Sequence, residues 1–378
     1  MRHAAALSAG LLALALAGGA APAQVPARPE PDQVASTLFL IGDAGEPARR
    51  GEPVLISLRR ELGLAGARAA VAFLGDNLYP AGLPAPGDRE RAEMERRLDA
   101  QVDAVRDTGA RVFFVPGNHD WQKGGKDGWE TVMREEQYLE ARGGPSVSFV
   151  PSGGCPGPEL TDVSDRLRLV ALDTQWWLHA HARPEDPSSA CETDSEAEVV
   201  AALRAALARA KGRDVVVLAH HPFVSGGPHG GRFTLRQHLF PLTDAKRGLW
   251  LPLPLVGSIY PKSRELGASP QDQASREYRR MRESLASAAA EHPPLAWAAG
   301  HEHALQVIES PEWGRVLVSG AGHFGHTSHV EDVPGSRYRA SHAGYMRIDF
   351  LRDGTRRLGV TLVAKDGSSQ ESFAKLLE

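Results

Sequence analysis

The sequence predicts an α/β domain with a largely parallel inner sheet and antiparallel edges. Three observations carry this. Short apolar runs of strand length alternate with helical patterns over most of the chain, the arrangement expected of βαβ units. Several of those runs end in a Gly-polar or polar cluster, as at the carboxyl ends of strands in an open α/β sheet. Beyond residue 300 the apolar runs are joined by tight connections, which suggests antiparallel edges.

In chain order, residues 1–23 read as a secretory signal peptide. Met1-Arg2-His3 is a basic start, 4–17 is almost wholly apolar, and Ala21-Pro22-Ala23 supplies small residues for cleavage. The run is short of the roughly 20 residues a membrane span needs. Residues 24–35, with three prolines between 25 and 33, read as a linker. Strands are expected at 36–41, 71–74, 112–115, 167–172, 215–219 and 295–299, and helices at 89–106, 130–140, 196–210 and 271–290. Later strands are expected at 305–309, 316–319, 345–350 and 358–363. The domain is expected to span 36–367, with insertions at about 179–193 and 230–282, and 368–378 reads as a C-terminal tail.

The chain has 378 residues, 42% hydrophobic and 24% charged. That balance excludes a wholly disordered or fibrous protein. Lys and Arg total 43 against 47 Asp and Glu, a net charge of −4, so no basic excess marks a nucleic-acid binder. Fifteen His against two Cys points to imidazole-based metal chemistry. Export would allow a disulfide between Cys155 and Cys191, with two free thiols as the alternative. No stretch after the leader is apolar enough to span a bilayer, so the mature chain is expected to carry no membrane span.

The strand ends carry the chemistry. Strand 36–41 runs into Gly42-Asp43-Ala44-Gly45, and 71–74 into Gly75-Asp76-Asn77-Leu78-Tyr79. Strand 112–115 runs into Pro116-Gly117-Asn118-His119-Asp120, 215–219 into His220-His221-Pro222, and 295–299 into Gly300-His301-Glu302-His303. Carboxyl ends of strands converge on one crevice, and glycine lets the chain turn sharply there. Oxygen and imidazole donors without thiolate suit Fe, Zn or Mn, and this many donors fits a pair of ions. A single Gly-Asp after a strand is more often a turn. Five such motifs in order, each after an apolar strand, make that bland reading untenable.

This ordered set resembles the calcineurin-like metallophosphoesterases, and within them the single-domain, tartrate-resistant type of purple acid phosphatase. The resemblance implies a four-layer α/β/β/α sandwich with mixed sheets. Most of that superfamily begins with Asp-x-His, whereas Gly45 stands at that His position here. Tyr79, three residues after Asp76, stands where purple acid phosphatases place a ligand tyrosine. Carried over, Asp43, Asp76, Tyr79 and His303 would hold one ion, expected as Fe(III), which a phenolate stabilises. Asp76, Asn118, His220 and His301 would hold a divalent Fe, Zn or Mn, with Asp76 bridging the two. Two adjacent ions can clamp a phosphoryl group and lower the pKa of a bound water for attack on phosphorus. By the same resemblance His119 and His229 are the candidate acids for the leaving alkoxide. His221, next to His220, is expected to point elsewhere. His323 and His326 are candidates to line the pocket, and Asp120 either orients His119 or is a surface carboxylate.

The resemblance therefore implies an exported, periplasmic or secreted, binuclear phosphatase. Its substrates would be small-molecule phosphate monoesters or phosphorylated molecules, with no nucleic acid as a structural partner. A phosphodiesterase of the same superfamily and a non-catalytic binding protein on this scaffold are the alternatives. About seventy residues separate His229 from His301, including the apolar, proline-rich stretch 249–261. That stretch reads either as a lid over the pocket or as an extended segment packed on the core.

Overall fold

A computed structural model describes residues 26–185, 187, 189–245 and 249–378. The signal peptide expected at 1–23 lies outside the described residues. In chain order the elements are β1 (Val34–Ile41), α1 (Pro53–Ala65), β2 (Ala69–Leu74), α2 (Arg91–Val105), β3 (Arg111–Val115), α3 (Gly128–Gly143), β4 (Val147–Phe149), β5 (Glu159–Asp162), β6 (Leu167–Ala171), α4 (Thr174–Leu178), α5 (Glu196–Ala208), β7 (Asp214–Leu218), α6 (Leu235–Leu239), α7 (Leu242–Ala245), α8 (Ile259–Glu265), α9 (Arg276–Ala289), β8 (Ala296–Ala299), β9 (Leu305–Ser310), β10 (Gly314–Ser319), β11 (Ser336–Ala340), β12 (Gly344–Leu351), β13 (Arg356–Val363) and β14 (Ser369–Leu377).

The strands form two mixed sheets, ordered β14-β13-β12-β1-β2-β3-β4 and β11-β9-β10-β8-β7-β6-β5. In the first, β1 to β4 are parallel and β12 to β14 add antiparallel strands at one edge. In the second, β6, β7, β8 and β10 are parallel, with β5 antiparallel at one edge and β9 and β11 at the other. So there are two parallel centres, as the four-layer sandwich implied by the family resemblance requires, each with the expected antiparallel edges.

Strand alternation explains the layers. Successive side chains of β1 face opposite ways. Phe39 and Ile41, with Val71, Phe73, Val112 and Phe114, pack beneath Leu58 of α1, Leu98 of α2 and Val132 of α3. Leu38 and Leu40, with Ala70, Ala72 and Phe113, instead meet Leu169, Val216 and Ala298 of the second sheet. That sheet's other face packs Val170 and Val217 against Leu203 of α5 and Met281 of α9. Because every central strand is covered on both sides, its residues read as continuous apolar runs. The result is the α/β/β/α sandwich.

Several expectations need correction. The C-terminal tail expected at 368–378 is strand β14, which pairs antiparallel with β13. Its sequence, SQESFAKLL, belongs to an edge strand with one partly solvated face, so charge hid it. Helix α1 and strands β4, β5 and β11 were not foreseen. The helix expected at 271–290 begins at Arg276, and residues 271–273 turn toward the strand ends instead. The insertion expected at 230–282 folds into α6, α7, α8 and the start of α9. Cys155 and Cys191 are joined in a disulfide, tying the loop before β5 to the segment before α5.

Candidate metal centre

The nine residues expected as ligands or acids meet where the parallel strands of both sheets end. Asp43 follows β1, Asp76 and Tyr79 follow β2, and Asn118 and His119 follow β3. His220 and His229 follow β7, and His301 and His303 follow β8. The two sheets thus contribute opposite halves of one cluster.

Backbone geometry turns the donors inward. Asp43, Asp76 and His301 have φ values of 57°, 52° and 67°, a region non-glycine residues occupy at a cost of order 1–3 kcal/mol and mainly at functional sites. The sequence reading gave these turns to the preceding glycines. At two junctions glycine instead permits close approach. A Cβ on Gly117 would lie 2.3 Å from Asp76 N and 2.4 Å from its Oδ1. A Cβ on Gly300 would lie 2.6 Å from Asp43 Oδ2.

The donors fall into two groups. In one, Tyr79 Oη donates to Asp43 Oδ1 at 3.0 Å and lies 3.1 Å from His303 Nε2, itself 3.4 Å from Asp43 Oδ1. In the other, Asn118 Oδ1 is 3.0 Å from both His220 Nε2 and His301 Nδ1, which are 3.2 Å from each other. Asp76 belongs to both. Its Oδ1 is 3.4 Å from His220 Nε2, and ligand atoms of Asp43, Asp76 and His303 lie within 4.8 Å of one another.

The ring nitrogens facing away decide what the cluster can hold. His220 Nδ1 donates to Leu74 O at 2.8 Å, and His301 Nε2 donates to Gln271 O at 3.2 Å. A carbonyl can only accept, so both of those nitrogens carry the hydrogen. In neutral imidazoles the opposite nitrogens then present lone pairs. With Asn118 Oδ1, three lone-pair atoms converge within 3.2 Å, an arrangement that suits a cation. Two buried aspartates beside them point the same way. The residues therefore fit a pair of bound metal ions.

Electrostatics follow burial. Burial, then Asp76, pushes the Asp43 carboxyl up. For Asp76 burial acts upward too, but His220, His119 and a backbone N–H outweigh it and hold the carboxyl at about 2. Burial, then Asp43 and Asp76, raises the Tyr79 phenol. Burial lowers His301 well below its usual range and brings His303 to about 4.

The two expected acids flank the cluster. His119 Nδ1 donates to Pro80 O at 2.6 Å, which leaves Nε2 on the side of Asp76, 3.9 Å from Oδ2. The His229 ring packs 4.0 Å from that of His301, and its Nδ1 is 3.0 Å from an Arg264 Nη2. His221 was expected to point elsewhere; its nitrogens meet Thr174 Oγ1 at 2.8 Å and Gln271 Oε1 at 2.7 Å, yet one lies within 4.8 Å of ring nitrogens of His220 and His301. The His323 and His326 rings lie 6.0 and 5.4 Å from that of Tyr79. Asp120 does neither thing expected of it. It is buried and accepts from the backbone N–H groups of Gly117, Asn77 and Leu78, so it clamps the loops after β2 and β3 together.

Sequence reasoning missed three contributors. Gln271 caps His301 and His221. Arg264, held by Asp272 at 2.5 Å, reaches His229. Glu302 accepts from His229 N and Ser225 Oγ, both at 3.1 Å, and so anchors the His229 loop. Only Glu302 carried a signal, as an acid between two expected ligands. The other two lie in the insertion, where no pattern marks them.

Two parallel-centred sheets with this donor cluster at their joint carboxyl ends define a metal-dependent phosphoesterase of the α/β/β/α class. The chain belongs to the calcineurin-like phosphoesterase family, whose model matches residues 38–246, more than half its length. The family implies a phosphoric ester hydrolase with a binuclear metal centre. No curated protein matches the chain. Among solved structures it is similar to GAP50, described as the anchor in the inner membrane complex of Plasmodium, at 14% identity and a TM-score of 0.55, covering 91% of this chain and 88% of that one. It is also similar to purple acid phosphatase PPD1 from yellow lupin seeds, at 14% identity and a TM-score of 0.54, covering 92% of this chain and 55% of that one. These likenesses concern the fold.

Proposed function

We propose that this protein is an exported binuclear phosphatase of the purple acid type that hydrolyses phosphate monoesters. The observation that carries the reading is the convergence of the Asn118, His220 and His301 lone pairs beside Asp43, Asp76 and Tyr79. Asp43, Asp76, Tyr79 and His303 would hold Fe(III). Asp76, Asn118, His220 and His301 would hold a divalent Fe, Zn or Mn. When bound, such a pair neutralises phosphoryl oxygens and acidifies water.

The chain's own residues supply the rest. Asp76, which borders both donor groups, would contribute its carboxylate to both ions. His119, its Nδ1 fixed on Pro80 O, presents Nε2 beside Asp76 and would pass a proton to the leaving oxygen. His229 is the second candidate for that role, at the opposite rim. Export rests on the reading of residues 1–23 as a leader.

The test compares an aryl phosphate monoester with the matching diester, on metal-loaded mature protein from acid to neutral pH. Asp76→Asn serves as control and is expected to lose turnover and at least one ion. Monoester turnover that vanishes in the control supports the proposal. Preferred diester turnover makes the protein a phosphodiesterase. No turnover of either with both ions bound makes it a binding protein, and full metal content with normal turnover in Asp76→Asn overturns the ligand assignment.

A further inference from the structure

The segments 230–245 and 249–266 carry an apolar surface that the described residues leave exposed. Leu235, Trp250, Leu255, Val256, Ile259 and Leu266 are all exposed, Leu255 at 90% and Leu266 at 83%. They belong to one packed unit. Leu253 N donates to Leu239 O at 2.8 Å, the Phe240 and Trp250 rings lie 5.4 Å apart, and His238 Nδ1 lies 3.1 Å from Ser258 Oγ. Exposed apolar side chains gathered on one folded unit mark an interaction surface, where singly scattered ones would not.

Two further observations say what kind. Leu255 sits at φ 66°, in the left-handed region that a leucine rarely adopts. Its backbone is thus strained while its side chain is solvated. The second is charge. Residues 230–266 hold Arg232, Arg236, Lys246, Arg247, Lys262 and Arg264 against Asp244 and Glu265, a net charge of +4 in a chain of net charge −4. Arg232, Arg236 and Lys262 are exposed, and Arg236 lies 5.9 Å from the Trp250 ring. Basic residues rimming exposed Leu, Ile, Trp and Tyr are the composition of interfacial membrane segments. A two-fold dimer through this patch would set its basic residues against themselves.

We infer that the described residues of 230–243 and 249–266 form a peripheral docking surface for an anionic phospholipid bilayer, with Leu255, Val256 and Ile259 entering the headgroup boundary. This does not rest on the hydrolase reading. It does border the metal centre: Tyr260 Oη accepts from Arg264 at 2.8 Å, and the same guanidinium reaches His229. Docking would hold the centre at a lipid surface.

The experiment is co-sedimentation of the metal-loaded protein with phosphatidylcholine vesicles, with and without phosphatidylglycerol. Trp250 fluorescence is followed with brominated lipid, since Trp250 is the exposed indole among the described residues. Binding is expected only to the anionic vesicles, weakened by salt, with Trp250 quenched. Leu255→Glu and Ile259→Glu are each expected to weaken it about tenfold. Leu160→Glu, an exposed leucine on β5, should leave it unchanged. All three positions are exposed, so the fold tolerates the changes. The inference is overturned by no sedimentation with either vesicle, or by binding that Leu255→Glu leaves intact. A dimer in solution that Ile259→Glu dissociates would also overturn it, by making the patch a self-interface.

Discussion

Tyr79 is the residue on which the choice of metal turns. Its phenol is buried 3.0 Å from Asp43 and 3.1 Å from His303, and a hard anionic oxygen there favours a trivalent ion. Tyr79→Phe is expected to abolish visible absorption of the iron-loaded protein while the far-ultraviolet dichroism stays unchanged. A variant that kept its colour would move the phenolate elsewhere. His179 makes a different point. It is buried against the Trp121 ring at 4.7 Å, and neither ring nitrogen has a hydrogen-bond partner among the described residues. Burial, then His181 and Arg183, lowers it to about 4. Between that value and the unfolded value near 6.5, the unfolded chain binds more protons. Stability therefore falls as pH drops through this window, and is recovered above it. His179→Phe removes the proton site, so denaturant unfolding at pH 7 and pH 5 should differ less in the variant than in the wild type. An equal difference would show that His179 contributes nothing to the acid response.

At the scale of elements, the junctions behave as rigid mounts. Gly117→Ala would drive a Cβ into Asp76 N, Asp76 Oδ1 and the His220 ring. Overpacking of this kind costs about 1–3 kcal/mol, here taken up by the loop that presents Asp76. The expected result is a lower melting temperature together with loss of bound metal. Gly63, inside α1, has nothing within 4 Å of its added Cβ. Gly63→Ala should raise stability by about 0.5–1 kcal/mol at unchanged metal content. Equal effects of the two would refute the mounting role. The same contrast explains what the sequence made legible. Strands 36–41, 71–74 and 112–115 were readable because burial on both faces leaves an unbroken apolar run. The donor motifs stood out because they follow such runs, whereas their roles, and His229 altogether, came from the family resemblance. Strand β14 was not, since Glu371 and Lys375, half-buried in ion pairs with Arg357 and Glu309, interrupt its apolar pattern. Nor were Gln271 and Arg264, whose contacts at the site depend on how the insertion folds back. Even the turn at Asp43 was assigned one residue early, because φ leaves no mark on sequence.

For the whole molecule, the cluster is also a seam. Asp43, Asp76, Tyr79 and Asn118 come from the first sheet, and His220, His301 and His303 from the second. Direct protein contacts across that seam include Asp43 Oδ2 accepting from His301 N at 2.8 Å and Leu74 O accepting from His220 Nδ1 at 2.8 Å. Set against them are the crowded lone pairs of Asn118, His220 and His301 and the two buried aspartates, which repel until a cation neutralises them. Metal binding thus acts on folding as well as on chemistry. Ions that bind only the folded chain stabilise it by mass action, about 4 kcal/mol at a thousandfold excess over Kd. Removing them by chelation is expected to lower the melting temperature of the wild type. Amide exchange should rise first at the ends of β1, β2, β7 and β8, before the sheet centres open. Asp76→Asn, already short of an ion, should respond less to the same chelator. A wild type stripped of metal that melts and exchanges as before would show that its two sheets need only their apolar faces to stay together.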